Sequence, residues 1–198
     1  MQNTGSLLKD FAKYKLILAS KSPRRQYLLK ELGFDFELST KDVDESFPEN
    51  LKAHEIPVYL CQKKAEAFEE ELTNETIVIT ADTIVWIDNQ VLNKPENFDD
   101  AMRMLKLLSG KKHEVYTGVC LKSKSKIKTF YALTNVYFKT LSQEEIEYYI
   151  NNFNPYDKAG AYGAQDWIGY IAIEKIEGSY FNVMGLPVKE LYEELLNF

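Results

Sequence analysis

The stretch Ile77–Val78–Ile79–Thr80–Ala81–Asp82–Thr83–Ile84–Val85–Trp86–Ile87 constrains this chain more than any other. β-Branched and apolar residues dominate it, and a turn, Asp88–Asn89–Gln90, follows. That pattern predicts a buried strand closing into a hairpin with Val91–Leu92, which requires antiparallel pairing. A different unit precedes it. The apolar run Leu16–Ile17–Leu18–Ala19 leads within a few residues into a helix from Pro23 to Leu32 that ends at Gly33. Ser22 suits the N-cap there, and proline at the first helical position has no amide hydrogen to leave unpaired. Helices alternating with strands and hairpins together predict a mixed α/β sheet flanked by helices, not a doubly wound parallel one.

The remaining pattern follows the same alternation. Phe34–Ser39 reads as a strand, Lys41–Asn50 as an acidic loop carrying Asp42, Asp44 and Glu45, and Pro57–Leu72 as a second helix. A helix from Phe98 to Leu108 stops at Ser109–Gly110. Strands over His113–Lys122 and Lys126–Lys139 come next, and Ser142 with Glu145 forms a capping box for a helix to Asn152. A glycine-rich loop, Asp157–Gly163, leads to an expected strand at Ile168–Ile176. The loop Glu177–Gly185 then leads to a last helix after Pro187. Residues 1–15 read as an N-terminal extension and 16–198 as a single domain.

Composition excludes several classes. A net charge of −6 argues against a general binder of nucleic-acid polymers but leaves room for a small anion in a local basic pocket. No apolar run is long enough to span a bilayer, and the N-terminus lacks the charged lead and apolar core of a signal peptide. A cytoplasmic location is the expectation. Cys61 and Cys120 lack metal-ligand spacing and read as reduced, partly buried thiols.

The candidate chemistry lies at a few places. Ser20–Lys21–Ser22–Pro23–Arg24–Arg25 gathers hydroxyls, arginines and free helix amides where a strand meets a helix, the arrangement that attracts phosphate. An ordinary helix start with solvated arginines is the other reading. Asp82 stands alone among apolar residues, where an unpaired carboxylate is costly. It is either a cap at a strand kink or bulge, or an acid, base or metal ligand at a break in the strand. Lys94 before Pro95, the pair Asp157–Lys158, and Gln165 beyond the glycine-rich loop are polar residues that fit a ligand or a surface equally well. So do Glu45 in the acidic loop and Lys64 on the second helix. The phosphate loops GxxxxGK[ST] and GxGxxG are absent.

Taken in order, LILASKSPRRQYLLKELG, VDES, QKKAEAF, ITADTIVWIDNQVLNKP, LSGKKHEVYTGV, DKAGAYGAQ and GSYFNVMGLPV resemble the Maf family of nucleoside triphosphate pyrophosphatases. The resemblance covers the chain from Leu16 to Leu191. It implies a fold similar to inosine triphosphate pyrophosphatases, with two lobes around a cleft on a curved mixed sheet. It also implies hydrolysis of a nucleoside triphosphate substrate to the monophosphate and pyrophosphate, a divalent cation (Mg²⁺ or Mn²⁺), and a possible homodimer. On this resemblance Asp82 is the proton acceptor. Arg24, Thr83 and Gln165 match positions tied to base choice, and read as in the branch that handles dTTP and UTP. Ser22, Arg25, Lys64, Lys94 and Lys158 match positions around the triphosphate, with Arg25 a direct contact. Glu45, with Asp82, matches a metal-holding carboxylate. Other readings are a pyrophosphatase for inosine or xanthosine triphosphates or for modified pyrimidines, and a nucleotide-binding regulator of cell division or septum formation.

Overall fold

A computed structural model describes residues 13–198. In chain order the elements are β1 (Lys15–Leu18), α1 (Pro23–Glu31), β2 (Glu37–Leu38), α2 (Glu55–Glu66), β3 (Thr76–Ile87), β4 (Gln90–Leu92) and α3 (Phe98–Leu108). They continue with β5 (Lys112–Lys122), β6 (Ile127–Phe138), α4 (Gln143–Phe153), α5 (Trp167–Ala172), β7 (Ile173–Glu177), α6 (Tyr180–Val183) and α7 (Val188–Leu196). The extension expected over residues 1–15 lies outside the described residues up to residue 12, and β1 starts at Lys15.

The strands form one mixed sheet in the order β2-β1-β3-β5-β6-β7, with β4 also on β3. β1 runs parallel to β2 and β3, while β4, β5, β6 and β7 pair antiparallel. The hairpin turn holds Asp88 and Asn89 at φ of 49° and 60°, a left-handed geometry that short polar side chains tolerate.

Side-chain alternation along β3 sends its residues to opposite faces. Odd-numbered positions face the larger helical layer. Ile77, Ile79 and Ala81 pack with Leu28 and Leu29 of α1 and Leu191 of α7. Val85 and Ile87 pack with Leu105 of α3 and Ile146 of α4. Even-numbered positions face α2, where Ile84 meets Ile56 and Leu60. The two packed clusters on the odd face form two lobes.

Several expected elements differ. The strand expected at Ile168–Ile176 is helix α5 up to Ala172, and only Ile173–Glu177 is strand. Its buried residues Ile168, Gly169 and Ala172 fall at helical spacing, and the Gly169 amide donates to the Asp166 carbonyl. A short apolar run does not separate the two periods. The second helix begins at Glu55 and ends at Glu66, followed by a 3-10 turn at Glu69–Glu71. That turn lets Phe68 and Leu72 pack beneath Ile17 and Val78. Of Phe34–Ser39, only Glu37–Leu38 pairs, because Phe34 leaves the strand line to join the α1–α7 core. The loop Glu177–Gly185 contains α6.

Candidate active site

The cleft lies where β3 changes neighbour. On one edge β3 pairs continuously with β5, from Val78↔Lys122 to Trp86↔Glu114. On the other edge β1 stops at Leu18↔Ile79 and β4 begins only at Val85↔Leu92. Residues 80–84 therefore have no strand on that side. The segments leaving β1 and β4 diverge around this gap, and they carry Ser20–Arg25 and Lys94 to its rim. A cleft of about 410 Å³ opens there, lined among others by Ser22, Arg24, Glu45, Lys64, Asp82 and Lys158. The break expected at Asp82 is thus in the neighbouring strands. β3 itself has no kink or bulge there, since its register with β5 does not slip.

Asp82 faces α2. It stands opposite Gly118 of β5, and side chains at paired positions share a face. A Cβ on Gly118 would lie 2.5 Å from the Pro57 carbonyl, so the first turn of α2 rests directly on the sheet there. Two turns further along α2, Lys64 reaches Asp82: its Nζ donates to Oδ1 at 2.6 Å. The same ammonium is 2.8 Å from Glu45. Both Lys64 and Asp82 are largely buried, with 17% and 13% of their side chains exposed. This explains how a carboxylate is tolerated in the strand: it has a charged partner. Burial opposes ionisation of Glu45, but the Lys64 hydrogen bond and the charges of Lys64, Lys94 and Arg25 outweigh it. The Glu45 pKa therefore lies below its ordinary value.

The acidic loop is fastened by lysines throughout. Lys21 pairs with Asp42, Lys63 with Asp44, and Lys64 with Glu45. Hydrogen bonds from Ser46 and Lys63 hold the Asp44 pKa down at about 2.

The two arginines diverge. Ser22 caps α1, accepting from the Arg25 amide. Arg24 crosses the cleft mouth to Asp157 at 2.9 Å. Arg25 turns inward instead: Nε donates to the Gly185 carbonyl at 2.8 Å, Nη1 to Ala81 at 2.7 Å and Nη2 to Thr83 Oγ1 at 3.0 Å. It ties α1 and the segment after α6 to the unpaired stretch of β3. Burial lowers its pKa, while the charge of Asp82 raises it.

The opposite wall comes from the glycine-rich loop. Gly160 has φ 68°, and a Cβ there would lie 2.9 Å from Val85, so the loop presses on β3. Lys158 lies 2.7 Å from Asp157 and 3.5 Å from Asp166. Asp157 thus serves both Arg24 and Lys158. Burial raises its pKa, but hydrogen bonds from Lys158 and Arg24 outweigh this and lower it. Gln165 donates from Nε2 to Asp166 at 3.2 Å, and Asp166 accepts from the Tyr149 hydroxyl at 2.9 Å. Lys94 is exposed at the rim.

Every candidate catalytic, phosphate-, base- or metal-binding residue named from the sequence lines this one cleft. The supporting groups Thr117, Tyr149, Asp166 and Asn182 escaped that reading. Thr117 sits in an ordinary strand and Tyr149 on an ordinary amphipathic helix, so only Asp166, beside Gln165, gave any sign. Cys61 and Cys120 are buried and unpaired, and burial pushes both thiols well up, the latter to about 12. Among the described residues no helix is long and apolar enough to cross a membrane.

A gap in a mixed sheet, rimmed by cations around a lysine-bridged carboxylate pair, defines an α/β protein whose cleft suits a polyanion. The chain belongs to the Maf family: residues 15–198 match the family described as Maf-like protein. It is 53% identical over 190 residues to the dTTP/UTP pyrophosphatase of Phocaeicola vulgatus, spanning 96% of this chain and 98% of that protein. The dTTP/UTP pyrophosphatase of Flavobacterium johnsoniae is 52% identical over 189 residues, spanning 96% and 97%. Among solved structures, the Staphylococcus aureus Ham1 protein overlaps 63% of this chain and 71% of its own, at 12% identity and a TM-score of 0.45.

Proposed function

We propose that this protein is a hydrolase that cleaves dTTP and UTP to the nucleoside monophosphate and pyrophosphate. The observation that carries the reading is the Lys64 bridge between Asp82 and Glu45, inside a cleft edged by Arg24, Lys94 and Lys158. Relatives at about half identity over nearly the whole chain bear the name of that activity.

Asp82 is the proton acceptor. Lys64 holds Oδ1, which leaves Oδ2 to take a proton from the attacking water. The water oxygen bonds to the α-phosphorus, and the bond from that phosphorus to the bridging oxygen breaks. Pyrophosphate leaves with the electron pair. Lys94, Lys158 and Ser22 bind the phosphate oxygens, and Arg25 adds its charge from beneath the cleft. Arg24, Thr83 and Gln165 face the base.

Glu45 and Asp82 also suit a divalent cation. They are hard oxygen donors that already converge on one positive charge, Lys64 Nζ. Among the described residues no three or more His, Cys, Asp or Glu are grouped so that they could hold a metal ion by themselves. Phosphate and water would complete the shell, as is usual for Mg²⁺. A bound cation supplies charge neutralisation on the triphosphate.

The test is a pyrophosphate-release screen with Mg²⁺ or Mn²⁺ over dTTP, UTP, dCTP, ITP and XTP. Release favouring dTTP and UTP is expected. Preference for ITP or XTP overturns the substrate assignment, and tight nucleotide binding without release from any of them overturns the enzyme.

A further inference from the structure

Thr83 lines the cleft from the face of β3 opposite to Asp82, and its hydroxyl sits in a closed hydrogen-bond chain. Thr117 Oγ1 lies 3.2 Å from the Asn182 carbonyl oxygen. A carbonyl only accepts, so the one hydroxyl hydrogen of Thr117 points there. The Asn182 carbonyl also accepts from the Gly185 amide at 2.9 Å and shares the Met184 amide with the Tyr180 carbonyl, so it has no hydrogen to offer in return. Thr83 Oγ1 and Thr117 Oγ1 are 2.9 Å apart, and that contact needs a hydrogen of its own. Only the hydrogen of Thr83 remains. Arg25 Nη2, which can only donate, gives a hydrogen to Thr83 Oγ1 at 3.0 Å. Thr117 is 0% exposed, so no water offers it another partner.

A hydroxyl has one hydrogen and two lone pairs. The Thr83 hydrogen is turned away from the cleft and one lone pair is taken by Arg25. One lone pair is left for a ligand, and no donor. We infer that Thr117, acting through this chain with Arg25, makes Thr83 an obligate hydrogen-bond acceptor toward the nucleobase, and that Thr117 is therefore a specificity-determining positioning residue.

The inference rests on the reading of the substrate as dTTP or UTP. The rings of thymine and uracil carry a single N–H donor, at N3, flanked by two carbonyls. An acceptor-only Thr83 pairs there and nowhere else on that edge. Cytosine presents a bare lone pair at N3, which the same oxygen repels at that position, and its one donor on that edge is displaced to the N4 amino group. Thr117 never touches the base, yet its hydrogen decides which way the Thr83 hydrogen points.

The experiment measures kcat/KM for UTP and CTP in wild type, Thr117→Val, Thr117→Ser and Thr83→Val. Valine keeps the shape of Thr117 and removes the acceptor for the Thr83 hydrogen, which then swings into the cleft. The UTP-to-CTP ratio should fall about tenfold or more, a difference of roughly 1.4 kcal/mol. Thr117→Ser keeps the hydroxyl and should keep the wild-type ratio. Thr83→Val should lower UTP turnover and spare CTP. A folded Thr117→Val variant with the wild-type ratio overturns the inference. If that variant fails to fold, Thr83→Val decides, and equal losses on UTP and CTP overturn it. Wild-type protein releasing pyrophosphate from neither UTP nor dTTP overturns the underlying reading instead.

Discussion

Lys64 Nζ lies 2.6 Å from Asp82 Oδ1 across the join between α2 and β3, and that join is as tight as backbone allows. The reason is Gly118, directly opposite Asp82 in the ladder, where the Pro57 carbonyl fills the space of a Cβ. Gly118→Ala forces α2 off the sheet and carries Lys64 with it. The backbone cannot yield as a flexible side chain would, so the overpacking should cost about 1–3 kcal/mol. The expected outcome is a lower melting temperature together with a lower kcat. A variant that melts earlier at unchanged kcat would separate the join from catalysis.

Asp82→Asn keeps the size of the side chain but cannot take a proton. Turnover of dTTP should fall by about 10²–10⁴-fold, the usual worth of a positioned general base. The fold should persist, because an amide oxygen still accepts from Lys64. Circular dichroism and pyrophosphate release read the two effects separately, and near-normal turnover would remove Asp82 from its assigned role.

Lys64→Met removes the ammonium shared by Glu45 and Asp82. Burial already opposes ionisation of Glu45, and the Lys64 hydrogen bond and charge hold its pKa below the ordinary value. Without them only the charges of Lys94 and Arg25 still oppose burial, and the pKa of Glu45 rises. The acid limb of the pH–rate profile should move to higher pH in the variant. An unmoved acid limb would mean that Glu45 ionisation does not govern activity.

Much of this site was legible in the sequence because its chemistry departs from the local pattern. A carboxylate in the run Ile77–Ile87 has to be paired, and two arginines at a strand-to-helix join stand out against an acidic chain. Which partner pairs with Asp82 was not legible, because Lys64 and Asp82 meet only once α2 packs across the sheet, with Pro57 against Gly118 and Ile56 and Leu60 against Ile84. The family resemblance separates Arg24 from Arg25, but the inward turn of Arg25 onto Gly185, Ala81 and Thr83 was not legible either. Adjacent residues on a helix point in directions about 100° apart, and tertiary acceptors decide which one reaches the cleft mouth. The misread strand at Ile168–Ile176 has a local cause. Trp167, Gly169 and Ile171 alternate with Ile168, Tyr170 and Ala172 in a way that serves either period, and the helix is accompanied by a local close approach in which the Ala164 carbonyl fills the space of a Gly169 Cβ.

His113 offers a test of the fold independent of catalysis. It is 1% exposed, stacks edge-on against Phe138 and Tyr162, and shares a 2.8 Å hydrogen bond between Nε2 and the Tyr162 hydroxyl. Its Nδ1 has no partner among the described residues. Burial lowers its pKa from 6.5 to about 3, so the native state holds it neutral. The unfolded chain binds a proton below pH 6.5 and the native state does not. The stability linked to His113 is therefore fully present above pH 6.5 and is lost as pH falls toward 3. Between pH 7 and pH 5 wild type should lose about 2 kcal/mol more than His113→Gln, which keeps a polar group near Tyr162 but does not titrate. Urea unfolding at the two pH values measures the difference. Equal losses in both proteins would show that His113 is not held neutral in the fold.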